Sequence, residues 1–351
     1  MVSVPEDPSW RDDIGETCDG EDVSAELLRL ARSGQDEAFA DLVAPHCREL
    51  HVHCYRILGS VADADDALQE TLLSAWQSLP GFEQRSSLRT WLYRIATSRC
   101  LNMLRAGRRR GEGAPAVLPP DAQPPRPTRL NEVTWLDPYP DLLLDELIDP
   151  APGPEAQLVA KESISLPFVT ALQLLPPRQR AVLILRDVLQ WRAAEVGALL
   201  DLSVAAVNSA LQRAHARLPA DHDTVTEPSE PRQRELLDRY VAAFENADVD
   251  TLVSVLTEDA MFEMPPFHTW FRGGRVVGAF LGARMAQLGN VVVVRSSANG
   301  QPAVALYAPA DSGQHRLHAL HVVTVKPEGV SRIVAFQDPS GLGSFNLPMQ
   351  L

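Results

Sequence analysis

The chain has 351 residues, 22% of them charged and 45% hydrophobic, with a formal net charge of −14. That length suits two or three globular domains, and the acidic balance excludes indiscriminate binding to nucleic acid by the chain as a whole. No run of about 18 apolar residues is present, which excludes a transmembrane helix, and the acidic N-terminus lacks the apolar stretch of a signal peptide, so a cytoplasmic location is expected.

Residues 1–23 are polar and acidic without periodicity, which predicts disorder. From Ser24, the spacing of Leu27, Leu28, Leu30 and Ala31 predicts an amphipathic helix that breaks at Ser33 and Gly34. A second helix is expected from Phe39 past Pro45 to Leu58, ending at Gly59. On it Cys47, His51 and Cys54 share one face at i, i+4 and i+7. Three ligands from one helix do not complete a tetrahedron, and Cys and His are ordinary residues of an apolar face, so no metal is expected.

Val61 to Leu79 reads as the next helix, with Ala64, Leu68, Leu72, Ala75 and Trp76 as its apolar stripe and Asp63 as its expected cap. Asp65 and Asp66 fall in its first turn, where carboxylates favour the positive end of the helix dipole. Asp66, Gln69, Glu70 and Leu73 face outward, either as a solvated face or as a docking face for a basic partner.

Pro80 and Gly81 stop that helix, and Ser86 or Ser87 is expected to cap another from Leu88 to about Arg108. Between Gln84 and Arg110 stand eight arginines and no acidic residue. Thr90, Arg94, Ser98, Asn102 and Arg105 form a polar stripe there. Guanidinium forks fit phosphate, and a loop bearing Phe82 and small polar residues can take up unstacked bases. A solvated basic helix is the plain alternative. Residues 111–155 follow as a linker holding eleven prolines. Within it the apolar-acidic patch WLDPYPDLLLDELID is expected to dock on another surface.

Helical signal resumes after Pro154 and leads into LPPRQRAVLILRDVLQWRAAEVGALLDLSVAAVNSALQRAHARL, residues 175–218. Its last two helices read as a helix-turn-helix. Asp201 to Ser203 makes the turn, Ser203 is the expected cap, and Val207, Leu211, Ala214 and Leu218 face inward. Ala205, Ala206, Asn208, Ser209, Gln212 and Arg213 are left outside, a mixture that suits a major groove. After a second linker at 219–230, helical patterns cover 234–246 and 250–256. Strand patterns then follow at 260–264, 291–294, 304–307, 317–325 and 330–336, the mark of an α+β domain with a curved antiparallel sheet.

Together these segments resemble a bacterial sigma-70 family factor of the extracytoplasmic-function group. DADDALQETLLSAW resembles the helix by which such factors grip the clamp helices of the polymerase β′ subunit. SLRTWLYRIATSRCLNMLRAGRRR resembles the element that melts and reads the minus-ten promoter region, and residues 175–218 resemble the reader of the minus-thirty-five element. Residues 231–340, with MFEMPPFHTWFRG as the most recognisable piece, resemble a SnoaL-like domain.

The resemblance implies a multidomain chain: sigma region 2 at 24–110, the linker at 111–155 and sigma region 4 at 156–218. Both sigma domains are all-α, and an α+β cone-shaped barrel at 231–340 and a tail at 341–351 follow them. It assigns core-polymerase binding to Asp65, Asp66, Gln69, Glu70 and Trp76. Minus-ten recognition falls to Phe82, Arg85, Ser87, Arg89, Trp91, Arg94, Asn102 and Arg105, and minus-thirty-five recognition to Ser203, Ala206, Asn208, Gln212 and Arg213. The implied partners are core RNA polymerase (β′ clamp helices and β flap) and promoter DNA, with no membrane and no cofactor. One departure is Asp201, which stands where many such turns carry Gly; Asp tolerates the left-handed backbone at modest cost.

For the C-terminal domain, the resemblance implies a pocket at Glu263, His268, Trp270 and His321 that could take a small molecule, and Glu263, His268, His318, His321 and Asp338 are candidates for the carboxylate or His that enzymes of this fold use as general acid or base. The expected role is regulatory and not catalytic, because fold does not fix function. Two rival readings are a ligand-responsive helix-turn-helix regulator that acts without polymerase and a cyclase or isomerase fused to a DNA-binding module.

Overall fold

The computed structural model describes residues 20–107, 129–130, 136–145, 163–218, 231–265, 269–310, 313–337 and 339–351. Four helices open the chain: α1 (Gly20–Arg32), α2 (Asp36–Leu58), α3 (Val61–Ser78) and α4 (Leu88–Gly107). α1 therefore starts ahead of the expected Ser24. α2 is the central one, buried continuously from Leu50 to Leu58, because α1, α3 and α4 all pack around it. Gly59 ends it in the left-handed region (φ 77°) and returns its N–H to Tyr55 O. The cap of α3 is Ser60, not the expected Asp63. Ser60 has extended backbone and accepts from Asp63 N at 3.2 Å, whereas Asp63 already lies inside the helix. Ser87 caps α4, accepting from Thr90 N at 3.1 Å.

The second bundle comprises α6 (Leu166–Gln173), α7 (Pro177–Leu183) continued by a π-helical turn at Ile184–Val188, α8 (Ala193–Leu200) and α9 (Val204–His215). Asp201 is left-handed (φ 55°, ψ 54°), and Ser203 accepts from Ala206 N at 3.2 Å. The glycine this turn needs stands earlier. A Cβ on Gly197 would lie 2.6 Å from the Leu202 carbonyl oxygen, so the chain folds back over that bare backbone.

The C-terminal domain begins with α10 (Pro231–Glu245) and α11 (Val249–Val255). It continues through β2 (Leu256–Glu263), β3 (Thr269–Arg272), α12 (Gly274–Leu288), β4 (Val292–Ala298), β5 (Gln301–Pro309), β6 (His315–Lys326) and β7 (Gly329–Phe336). The sheet order is β1-β3-β2-β7-β6-β5-β4, where β1 is Arg129–Leu130 of the Pro-rich linker, paired antiparallel with β3. The expected antiparallel sheet is corrected to a mixed one: β2 runs parallel to β7, and α12 is inserted between β3 and β4. A parallel pair needs a crossover, which the β3 to β6 excursion supplies. α12 was not anticipated, although Val277, Phe280, Leu281 and Met285 repeat at helical spacing on its buried face; its glycines allow close approach, and a Cβ on Gly278 would come within 2.2 Å of Val253 Cγ2.

The sheet has two covered faces. Val304, Leu306, Val323, Ile333 and Ala335 pack with Tyr240, Phe244 and Phe280 on the helix side. On the other, Ala303, Ala305, Tyr307, Leu320, Val322, Val334 and Phe336 join one apolar cluster with α2, α4 and the second bundle. The linker patch lies in that cluster, as its composition predicts: α5 (Leu142–Asp145) follows a docked stretch in which Leu136, Tyr139 and Leu144 are buried. Asn299 and Gly300, both with positive φ, form the two-residue turn between β4 and β5. The buried Asn299 side chain accepts from Tyr139 N (2.7 Å) and donates to Tyr55 Oη (3.0 Å) and Ile164 O (2.7 Å). Four segments of the chain meet on that amide.

Candidate nucleic-acid interface

On α3, Asp65, Asp66, Gln69 and Glu70 are exposed on one side, with Leu73 beside them at 58% exposure. An acidic helix face with an apolar residue at its centre has the composition of a protein-docking surface. Trp76 is only half-exposed and tilts onto Phe39 at 5.0 Å, so it holds α3 on α2. Asp65 Oδ1 lies 3.0 Å from His51 Nε2. His51 Nδ1 is in turn 2.7 Å from Tyr139 Oη, and Cys54, the third member of the helix-face trio, is buried. No group of three metal-ligating side chains occurs among the described residues.

On α4, Arg89, Arg94, Ser98, Asn102 and Arg105 are exposed, with Arg85 and Ser87 in the preceding loop. Arg85 pairs with Glu83, and Arg105 donates to Asn102 at 3.0 Å. Phe82, expected at the DNA surface, is instead buried and stacked on Trp91 (4.7 Å, 29°) within a small cluster with α1. Its ring gains more from that apolar neighbour than from water, and the loop is pinned by it. Arg89 is committed too: its Nε donates to Glu49 Oε2 at 2.8 Å, and its guanidinium lies over the Tyr93 ring at 4.9 Å. Burial opposes ionisation of Glu49, but hydrogen bonds from His46 and Arg89 and their charge outweigh it, holding the carboxyl below its usual range. Beneath this layer His53 donates from Nε2 to Thr97 Oγ1 (2.8 Å), whose own hydroxyl is spent on Tyr93 O. Burial, then the nearby Arg56 charge, pulls His53 down to about 3, so it is a neutral core group.

On α9, Asn208, Gln212 and Arg213 are exposed while Val207, Ala210 and Ala214 are buried, so the periodicity of residues 204–215 is realised. Ala206 is half-exposed, Ser203 is spent on the cap, and Arg213 donates to Ser209 at 2.5 Å along the same face. Amides with an arginine one turn apart present donor and acceptor pairs of the kind that read base edges.

The C-terminal candidates do not converge. Register places Glu263 opposite Val334 and Trp270, on the face away from the helices, where Glu263 pairs with Arg332 at 2.9 Å. His321 lies opposite Ala335 on the helix side, bonded to Tyr240 Oη (2.9 Å) and flanked edge-on by Phe244 and Phe262. Burial and the neighbouring His318 push it down to about 3. His318 sits by Arg284 (3.4 Å), and His268 and Asp338 lie outside the described residues.

Residues 42–110 match the family Sigma-70 region 2, residues 165–218 match Sigma-70, region 4, and residues 237–335 match the SnoaL-like domain. The ECF RNA polymerase sigma factor SigG of Mycobacterium tuberculosis (strain ATCC 25618 / H37Rv) is 43% identical over 343 residues, covering 94% of this chain and 90% of the relative. The chain belongs to the extracytoplasmic-function sigma factors of the sigma-70 family. SigW of Bacillus subtilis (strain 168) is 26% identical and spans 54% of this sigma factor and 92% of its own length, so it is similar to little more than the sigma part. The crystal structure of Mycobacterium tuberculosis SigJ superposes with a TM-score of 0.58 at 22% identity, covering 88% of this chain and 99% of that one, a likeness of fold.

Three features of this sigma factor were not read from sequence: Glu49 as the partner of Arg89, the Asp65–His51–Tyr139 contacts, and the Asn299 junction. The last had a signal, since Asn-Gly between two apolar runs is a hairpin turn, but nothing local says what its amide will touch.

Proposed function

We propose that this sigma factor directs polymerase to promoters through α3 as docking helix, α4 as minus-ten reader and α9 as minus-thirty-five reader, and that its C-terminal domain restrains it in a closed arrangement. The supporting observation is how the two readers sit. α9 packs on α7, and α7 packs on α2 and α4. Two helix-packing steps of about 8–10 Å each therefore separate the readers. The promoter elements, about 25 base pairs apart by their names, are separated by about 85 Å at 3.4 Å per pair. The closed form cannot span them. An extended linker of residues 111–155 reaches on the order of 150 Å, enough once the bundles part.

The interface between bundles is suited to separation. Arg56 donates to Ser163 O (2.9 Å) and Oγ (2.5 Å), and Arg180 to Ile57 O, Gln173 Oε1 and the Gln173 and Leu175 carbonyls, all uncharged acceptors. Burial lowers both guanidinium groups to about 10. Two buried cations held only by neutral oxygens weaken the closed state relative to a hydrated, open one. The sheet face of the C-terminal domain and the Asn299 junction offset that cost. An enzymatic reading has less support, because Glu263 and His321 stand on opposite faces of the sheet.

The test is transcription in vitro with core polymerase on fragmented genomic DNA, comparing the full chain with one lacking residues 231–351. Higher activity, or a wider set of start sites, in the shortened chain is expected. Equal activity and identical starts would remove the regulatory claim, and failure of both to support initiation would remove the docking assignment.

A further inference from the structure

His51 stands between two groups that belong to different parts of the molecule. Its Nδ1 is 2.7 Å from the Tyr139 hydroxyl of the linker, and its Nε2 is 3.0 Å from Asp65 Oδ1 on the docking face. The histidine side chain is 8% exposed and the aspartate 61%. The Asp65 contact lies off the line that a strong hydrogen bond needs, so charge governs it. A carboxylate beside one imidazole nitrogen keeps the ring proton there and leaves the other nitrogen as an acceptor. The Tyr139 hydroxyl then donates to Nδ1. The same tyrosine packs on the Tyr55 ring (4.8 Å), gives its N–H to Asn299 Oδ1 (2.7 Å) and accepts at its carbonyl from Asn299 N (2.8 Å). Solvent-facing Asp65 is thus three contacts from Asn299, in the turn by which the C-terminal domain holds the linker.

We propose that His51 couples the docking face of α3 to the Tyr139–Asn299 clasp, so that a basic partner side chain taking the Asp65 carboxylate loosens the hold of the C-terminal domain. This rests on the reading of α3 as the polymerase-docking helix and adds to it a direction: docking favours opening. Once Asp65 is neutralised from outside, the ring loses its preference for the Nε2 proton. The carboxylate also raises the basicity of Nδ1, so its neutralisation weakens the bond that Nδ1 accepts from the Tyr139 hydroxyl; in the other tautomer that bond reverses, Nδ1–H donating to Oη, and the phenolic hydrogen must turn to another acceptor.

Amide hydrogen exchange at Asn299 and Gly300 reads the clasp directly. Asn299 N donates to Tyr139 O and Gly300 N to Asp141 Oδ1 (2.8 Å), so both are protected only while the clasp is shut. In the full chain without polymerase, Asp65→Asn is expected to speed exchange at both amides severalfold, up to the roughly 10-fold that corresponds to one whole hydrogen bond. Tyr139→Phe should do the same, and the double variant should be no faster than the faster single one. Unchanged exchange in Asp65→Asn, or additive effects in the double variant, overturns the coupling. Asp65 is exposed, so that arm stands even if Tyr139→Phe folds poorly. Failure here is separate from failure of the regulatory reading: Asp65→Asn can speed exchange while removal of residues 231–351 leaves transcription unchanged, and the reverse can also occur.

Discussion

Asn299 donates from Nδ2 to the Tyr55 hydroxyl across 3.0 Å, so a turn of the C-terminal sheet is fastened to the central helix of the N-terminal bundle. The same amide satisfies Tyr139 N and Ile164 O. Asn299→Ala leaves those buried groups without partners and places a Cβ residue lacking an amide at φ 58°. A loss of about 2–4 kcal/mol of unfolding free energy is expected, with a larger hydrodynamic radius before the main transition. An unchanged urea midpoint and an unchanged radius would show that the junction is incidental to the closed form.

His53 and His321 are buried neutral, each drawn down to about 3. In the unfolded chain each titrates near 6.5, so the unfolded state binds more protons below that pH. Their contribution is fully present above about 6.5 and is lost as pH falls toward 3, at roughly 1.4 kcal/mol per unit for each histidine. Carboxylates such as Glu49 begin to count only lower, so the span from pH 6.5 to 5 isolates the histidines. Urea midpoints measured at pH 7, 6 and 5 should fall step by step; a flat profile would mean that both rings reach solvent.

The helix-turn-helix was legible because its information is local. Ser203 caps, Asp201 turns, and Val207 and Ala214 repeat within one element. The reader proposed on α4 was less so: Arg94, Asn102 and Arg105 face out as their spacing predicts, but Phe82 is claimed by Trp91, and sequence spacing carries no sign of that stacking partner. The C-terminal candidates were least legible. A strand's alternation says that Glu263 and Phe262 face opposite ways, yet only the register with β7 says which way is the helix side, and the parallel β2–β7 pair is a long-range choice. Linker docking was anticipated from an apolar patch in a Pro-rich stretch, but the polar atoms that receive it, on Asn299 and His51, come from distant segments.

On α9, Asn208 and Gln212 offer bidentate amides and Arg213 a charge. Asn208→Ala or Gln212→Ala should relax preference at one or two upstream base pairs by about 1–3 kcal/mol per lost contact while leaving nonspecific affinity nearly unchanged. Arg213→Ala should lower affinity on all sequences and reduce the salt slope by about 1 if the guanidinium meets phosphate. Selection of bound sites from a randomised pool, repeated at two salt concentrations, separates these outcomes. Unaltered base preference in both amide variants would move recognition to another face.

Glu49 holds Arg89 through 2.7–3.1 Å contacts and is itself held ionised by His46 and Arg89. A phosphate that approaches this end of α4 competes with that carboxylate for the same guanidinium. Glu49→Gln keeps the side-chain shape and one acceptor but removes the charge, so Arg89 becomes available to the nucleic acid at lower cost. In the polymerase-bound state, affinity for a single-stranded minus-ten fragment should rise, and the slope of log affinity against log salt should steepen by about 0.7, the value for one added single-strand phosphate contact. The double variant with Arg89→Ala should lose the whole gain. If Glu49→Gln binds with unchanged slope, or keeps its gain without Arg89, then the Glu49–Arg89 pair is a strut between α2 and α4 and no part of the reader.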